Sequence, residues 1–350
     1  MPSSSLNKKP LVSVLTPTWN RSAYLGRVWK GLSQQTYRNF EWIVSNDGST
    51  DDTESVVRVL AAQSEFSVVL INASVHIGKA RMDNEAVARA QGDFILWNDS
   101  DDYLLPHAIE RLVDSWNSIP VAEISDFVGV TALCRTEDGL ILTPLSTHEP
   151  FDTTWNDLAE KNGVTGDMMY LTRASELKAC PFPEVDLVIP EGVIWTTLGD
   201  RKIRVQPDVV KVVEYRAPNA ISFSGKQEYC RGRAYAMATS ERNLRKYPRS
   251  LKTRLWRLMT FIRCCVHGEI RPKDQMRLWG ENTSLILWAL MLSPACLLAL
   301  KDRLQGKVRQ THREFEAANE VVTITTQRLG HVSRGVQNDS NAPKFITQTA

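Results

Sequence analysis

The segment "ILWNDSDDYLLP", residues 95–106, holds three carboxylates in four positions: Asp99, Asp101 and Asp102. It begins as an apolar, strand-like run, so the acids stand at the end of a buried element. Like charges that close repel each other unless something positive lies among them. In extended backbone residues i and i+2 point to the same side, which would put Asp99 and Asp101 together. Two carboxylates at a strand end suit a hard divalent cation such as Mg²⁺ or Mn²⁺. Such an ion keeps water ligands and takes phosphate oxygens for the rest of its shell. An EF-hand loop fits poorly, because Leu104 stands where its glycine is required and Tyr103 at the ligand position before it. A dinucleotide site would need GxGxxG after the first strand, where "TPTWNRSAYLG" stands instead. An Asx-rich turn capping the helix after Pro106 remains open on these residues alone.

The elements that must hold these acids alternate in type. Leu11–Leu15, "FEWIVSND", "FSVVLIN" and "DFILWN" read as strands. "RSAYLGRVWKGLSQQ", "DTESVVRVLAAQ" and "GKARMDNEAVARAQG" read as the helices between them. That order indicates βαβ units and a parallel sheet covered on both faces. Functional loops then belong at the carboxyl ends of the strands. The polar stretches "TPTWNR", "NDGSTDD", "NASVHIGK" and "NDSDD" all fall there. From Asp126 the pattern changes. "DFVGVTALCRTEDGLILTPL" reads as a hairpin around Asp138-Gly139. "DMMYLTR" and "VVKVVEYR" read as further strands, with a short helix near Glu191 between them. From Lys226 the chain reads as helical. Beyond Gly306 it turns polar and patternless, and much of Gly330–Ala350 is expected to be disordered.

In 350 residues the hydrophobic fraction of 43% and charged fraction of 23% are ordinary for a globular protein. The net charge of +2 hides an asymmetry, because Lys and Arg dominate from Arg231 onward. A basic C-terminal third suggests a polyanionic neighbour, membrane or nucleic acid. The six cysteines form no CxxC pair, which speaks against zinc and for reduced thiols in a cytosolic compartment. "MPSSSLNKKP" has no apolar core of a secretory signal.

Two stretches carry a specific resemblance. "LVSVLTPTWNRSAYLGRVWKGLSQQTYRNFEWIVSNDGSTDDT" and "GKARMDNEAVARAQGDFILWNDSDDYLLP" closely resemble the family 2 glycosyltransferases, in order and spacing, from Leu11 to Pro106. The likeness weakens from Asp126 to Arg216 and is faint beyond. It is of the bacterial envelope and exopolysaccharide type. It implies a GT-A fold: a Rossmann-like, mostly parallel sheet with an antiparallel portion, here followed by C-terminal helices. It also implies a nucleotide-sugar donor, a UDP-sugar by the family pattern, a divalent metal, and inversion at the anomeric carbon.

Carried over residue by residue, Pro17 and Asn20 would line the nucleotide pocket. Asp47 would accept a hydrogen bond from a uracil ring, with Asn46 replacing the usual first acid of that pair. Lys79 and Arg81 would face the diphosphate, or else be solvated helix residues. Asp99 would contact the ribose or a metal-bound water, Asp101 would bind the metal, and Asp102 would cap the next helix. Glu191 in "VIPEGVIW" is the base candidate, and at the same time a candidate helix cap after Pro190. Trp195 matches the family's tryptophan there. Asp167 would be an acceptor contact. His76 and His148 read as partnerless loop residues.

In the C-terminal third, "LWRLMTFIRCCVHG" reads as a basic amphipathic helix, suited to a membrane interface or to packing on the catalytic domain. The uncharged run 282–300 approaches the roughly 20 apolar residues of a membrane span. Pro294 breaks it and both flanks are basic, which favours an interfacial or re-entrant helix. The resulting division is a catalytic domain at 10–225, with a nucleotide-sugar half at 10–120 and an acceptor half at 121–225. A helical, membrane-interfacial region at 226–305 and a partly disordered polar tail at 306–350 follow. The partners expected are a nucleotide sugar, a glycan or lipid-linked acceptor and the inner face of the cytoplasmic membrane, with no nucleic acid. The rivals are a nucleotidyltransferase, whose Gly-rich, Arg-containing loop is absent, and a non-catalytic nucleotide- or glycan-binding relative.

Overall fold

The computed structural model describes residues 9–161, 163–164, 166–214, 228–280 and 285–329. The first half runs β1 (Val12–Thr18), α1 (Ser22–Ser33), β2 (Phe40–Asn46), α2 (Thr53–Ala62), β3 (Ser67–Ala73), α3 (Lys79–Arg89), β4 (Phe94–Trp97), β5 (Tyr103–Leu104) and α4 (Ala108–Asn117). Next come β6 (Phe127–Thr136), β7 (Phe151–Thr154), α5 (Trp155–Glu160), β8 (Met168–Arg173), α6 (Ala174–Lys178), α7 (Gly192–Thr197) and β9 (Lys202–Val213). The C-terminal part is α8 (Cys230–Asn243), α9 (Leu251–His267), α10 (Pro272–Trp279), α11 (Leu285–Leu304), α12 (Thr311–Val321) and β10 (Ile324–Leu329).

One sheet in the order β10-β3-β2-β1-β4-β8-β6-β9-β5 organises the chain, with β7 beside β9. Strands β1 to β4 are parallel, while β8 enters antiparallel between β4 and β6. β1 and β2 are buried along their whole length, as strands of a sheet covered on both faces must be. Side-chain alternation feeds two cores. Val12, Val14, Trp42 and Val44 meet Leu25 and Leu32 of α1, Val57 of α2 and Leu112 of α4 on one face. Leu15, Ile43 and Ile95 meet Met82 and Ala86 of α3 and Ile194 of α7 on the other.

A third core joins α8 to α11 through Ala234, Phe261, Ile262, Trp279 and Ala295. Asp186, fully buried, pins this layer to the sheet domain. Its carboxylate accepts from Thr311 Oγ1 (2.6 Å) and from the Gly232 backbone N–H (3.1 Å).

Four expectations need correction. The chain does double back around Asp138-Gly139, with the Thr136 N–H donating to the Leu140 carbonyl (2.9 Å) and the Leu142 N–H to the Cys134 carbonyl (3.0 Å), but the pairing stops at the Arg135–Ile141 bridge, so "LILTPL" is not a full strand. β9 starts earlier than "VVKVVEYR", at Lys202, and slips register three times against β6, while Tyr215 and Arg216 lie outside the described residues. The region after Gly306 is not patternless: α12 leads into β10, which pairs antiparallel with β3 and closes that edge of the catalytic sheet. Pairing with an exposed strand edge replaces the local hydrophobic signal a sequence reading depends on. The disorder expected for Gly330–Ala350 lies outside the described residues.

Pro294, finally, does not break α11, which runs through it. Proline removes one i→i−4 bond, and packing on α9 holds the rest of the helix. The apolar face of α9 is turned inward, with Arg257 on Glu241 and Arg263 on Asp302, so the packing alternative describes it. The outward apolar face belongs to α11. Ile286, Leu290, Leu297, Leu300 and Leu304 recur at helical spacing and are between 53% and 79% exposed. Among the described residues no helix is long and apolar enough to cross a membrane.

Candidate active site

Four loops meet at the carboxyl ends of β1 to β4. The first two are stapled by Asn20, held at φ 52°, whose Oδ1 accepts the Thr50 N–H (2.8 Å). The second and third are stapled by Asp47. Its buried carboxylate accepts the backbone N–H groups of Ile77 (2.7 Å) and Gly78 (2.9 Å), with His76 Nδ1 at 2.9 Å. Asp47 thus shapes the pocket floor. His76 is far from partnerless, since its ring also stacks on the part-exposed Trp19 (4.0 Å between centroids, 13° between planes). Sequence reasoning missed this aromatic platform, although Trp19 sits inside the quoted first loop. His148 is an exposed loop residue as expected. Pro17 lies in β1, paired with Ser45 of β2.

The three carboxylates of the fourth loop fan out, each to its own cation. Asp101 pairs with Arg21 from the first loop, and its backbone carbonyl accepts from Arg27 of α1. Asp102 does not cap the next helix. It is buried against Lys211 Nζ (2.7 Å) and accepts the Glu214 N–H (3.0 Å). Burial, aided by Asp99, pushes its carboxyl up against the pull of Lys211. Asp99 faces Lys79 at 3.7 Å and is 39% exposed. Burial pushes the Asp99 carboxyl up, but Lys79, Lys211 and Arg21 outweigh it and hold it below the usual carboxylate range.

Lys79, the first residue of α3, is the hub. Its Nζ lies 2.7 Å from Glu191, 3.0 Å from Asp83 and 3.7 Å from Asp99. Burial would lower its pKa, yet these three carboxylates raise it well above the ordinary value. Asp83, fully buried, is pushed up to about 6 by burial, against the opposing pull of Lys79. It also accepts from Trp97 Nε1 (3.3 Å), which ties the hub to the strand before the acidic loop.

Glu191 occupies the N-cap position of α7 but makes no side-chain cap bond. Its carboxylate goes to Lys79 and stays about half exposed. Trp195 follows one helical turn later, on the same face. It packs on Tyr170 (4.5 Å), Trp97 (5.9 Å) and Trp155 (5.9 Å), an aromatic wall linking α7 to the acidic loop's strand. Asp167 is exposed at the start of β8. The Tyr170 hydroxyl is raised well above its ordinary value, by burial first, with Cys134, Asp167 and Glu191 adding to it. Arg81 is not brought to the acidic loop; it pairs with Glu184 and with Glu85 (3.3 Å), at the outer edge of α3. Among the described residues no three His, Cys, Asp or Glu side chains cluster closely enough to cage a metal ion.

A mostly parallel sheet with acids at its strand ends thus faces a further acid, Glu191, on the antiparallel side. Residues 13–164 match the family model described as Glycosyl transferase family 2, and the chain has the GT-A fold. It is 34% identical over 108 residues to a GalNAc(5)-diNAcBac-PP-undecaprenol beta-1,3-glucosyltransferase from Campylobacter jejuni, covering 31% of this chain and 35% of that protein. The chain thus spans about a third of that relative's length. A putative teichuronic acid biosynthesis glycosyltransferase, TuaG, from Bacillus subtilis is 28% identical over 181 residues, 51% of this chain and 68% of TuaG. Among solved structures, S. aureus TarS 1–349 in complex with UDP-GlcNAc superposes with a TM-score of 0.52 at 18% identity, covering 88% of this chain and 90% of TarS 1–349.

Proposed function

We propose that the protein transfers a sugar from a nucleotide-diphosphate sugar, a UDP-sugar, to an acceptor hydroxyl, with inversion, in the synthesis of a bacterial envelope polysaccharide. The observation that carries this reading is the convergence of Glu191 and Asp99 on Lys79, at the mouth of a site walled by aromatic rings. Glu191 is the base. Acceptor hydroxyls ionise far above neutrality, so a carboxylate must take the proton during attack. Direct attack of this kind is a single displacement, which inverts the anomeric carbon. Trp195 and Tyr170 form an apolar wall suited to a sugar ring, with Asp167 as a polar contact for the acceptor. Asp47, together with Trp19 and His76, lines the nucleobase end. Lys79 and Arg21 are the cations placed to meet the diphosphate as its charge grows.

A divalent cation belongs to this reading and would take Asp101 and Asp99 over from Arg21 and Lys79. Mg²⁺ or Mn²⁺ needs only one or two protein carboxylates when substrate and water complete the shell. Asp101 and the part-exposed Asp99 would hold it, and when bound it supplies charge stabilisation to the leaving nucleoside diphosphate. The outward leucine face of α11, with Lys301 and Arg303 in its last turn and Lys307 just after it, supports work at a membrane surface on the cytoplasmic side, with a lipid-linked acceptor. Two measurements test the reading. UDP should raise Tm in a Mn²⁺-dependent way, and one member of a panel of nucleotide sugars should be hydrolysed above background. No UDP binding with Mn²⁺ present, or binding without turnover of any donor, would overturn it.

A further inference from the structure

Between α8 and α10 lies a cleft of about 550 Å³ that the reaction described above does not use. Four arginines line it, Arg231, Arg242, Arg271 and Arg277, against only two acids, Glu269 and Asp274. The acids are already committed. Asp274 accepts from Arg271 Nε (2.7 Å), and Glu269 is held by Arg313 and, at 3.4 Å, by His312 of α12. Arg231 is engaged by Glu316 and the Gly268 carbonyl. Two guanidinium groups are left over. Among the described residues Arg242 reaches only the Leu278 carbonyl and the Thr239 hydroxyl (3.2 Å). Arg277, exposed on α10, meets no carboxylate among the described residues. The cleft therefore carries an uncompensated positive charge from side chains whose planar forks match phosphate oxygens.

Its position gives that charge a use. Val185 lines the cleft and belongs to the segment that ends at Glu191. This segment is clamped from both sides. Leu187 lies against Gly78 so closely that an added Cβ would stand 2.1 Å from its carbonyl, and Val188 lies the same way against Gly232 of α8, at 2.2 Å. One side of the segment faces the Lys79 hub, and the other faces the arginines. We propose that the cleft is a second anion site, separate from the donor pocket, which takes the phosphate or diphosphate group of the acceptor. The assignment to the acceptor rests on the glycosyl-transfer reading; the anion site itself does not.

The test uses the full chain saturated with UDP and Mn²⁺, so that the donor pocket is blocked, and titrates it with inorganic pyrophosphate. Binding should persist under UDP and weaken as ionic strength rises. Arg277→Glu should weaken it by at least about tenfold, as loss of a charge-assisted pair does. Arg277→Lys, which keeps the charge and loses the fork, should fall between. A parallel titration with farnesyl diphosphate names the source. Tighter binding than pyrophosphate points to a lipid-linked phosphate, and equal binding to a soluble one. Pyrophosphate that competes with UDP, or binds Arg277→Glu and the parent equally, would overturn the site. Failure of UDP itself to bind would count against the glycosyl-transfer reading and leave the pyrophosphate measurement readable.

Discussion

Asp83 and Asp302 are both almost fully buried, and both sit beside cations, yet their environments push them in opposite directions. Asp302 joins α11 to α9. It receives Arg263 through two bonds (2.6 and 2.5 Å) and His267 Nε2 at 2.9 Å. Burial pushes its carboxyl up, but Arg263 and His267 outweigh that and hold it below the usual range. Asp83 must share Lys79 with Glu191 and Asp99, and burial prevails, carrying it to about 6. Asp302 thus has two donor side chains to itself. Around Lys79, the candidate active site gathers three carboxylates, Asp83, Asp99 and Glu191, about one ammonium. A saturated cluster is a fastener, whereas a cluster in negative excess at the mouth of a pocket can still gain from an incoming cation or hydroxyl.

The sharpest way to break this contrast is to remove an acid from each side. Asp101→Ala should abolish transfer and Mn²⁺-dependent stabilisation by UDP while the fold survives, because it deletes a charge from an acid-rich loop. Full activity with Mn²⁺ would show that the loop is not the site. Glu191→Gln should keep UDP binding and lose roughly 10²–10⁴ in transfer rate. Near-normal turnover would move the base to Asp167, the exposed acid just before β8.

On the fastener side, Asp302→Ala should cost up to about 3–5 kcal/mol, the range for breaking a buried pair, reduced because the Arg263 left behind is part-exposed. Donor hydrolysis should remain at temperatures where the variant is folded. A denaturation midpoint equal to the parent's would remove the distinction between the two clusters. Smaller still, Leu290→Glu with Leu297→Glu should leave Tm nearly unchanged, since both side chains are exposed. The same pair should reduce co-flotation with anionic vesicles. Truncating the chain before α11 is a poorer test, because it also strips β10 from the sheet edge.

The finest test is the sign of the pH dependence. The pKa of Asp83 is raised, so its share of stability is full below about pH 4 and is lost as pH rises through about 6. The pKa of Asp302 is lowered, so its share is present above its ordinary pKa and is lost as pH falls through the depressed one. Asp83→Asn and Asp302→Asn should therefore tilt the Tm–pH curve in opposite senses. Parallel tilts would mean that cation supply does not set the difference.

The loops that form the site were legible because each follows a strand, and a strand, its turn and the next helix are local features of the chain. The partners of the acids were not. Asp102 meets Lys211 and Glu214 more than a hundred residues away, so its short distance to Pro106 misleads toward a cap. Arg81 looks like a diphosphate ligand beside Lys79. A helix turns about 100° per residue, and two steps carry Arg81 round to Glu184.

By itself the sequence determined the alternation of strands and helices, the acids at the strand ends and the apolar run after Asn282. These rest on periodicity and on short-range turn chemistry, which need no knowledge of the rest of the molecule. Tertiary structure alone decided which cation each acid receives, that Lys79 bridges Glu191 and Asp99, and that β10 returns to the sheet. It also decided which face of α11 is left bare. These depend on charges and surfaces brought together across long stretches of chain, where interaction strength is set by distance and burial rather than by order along the backbone.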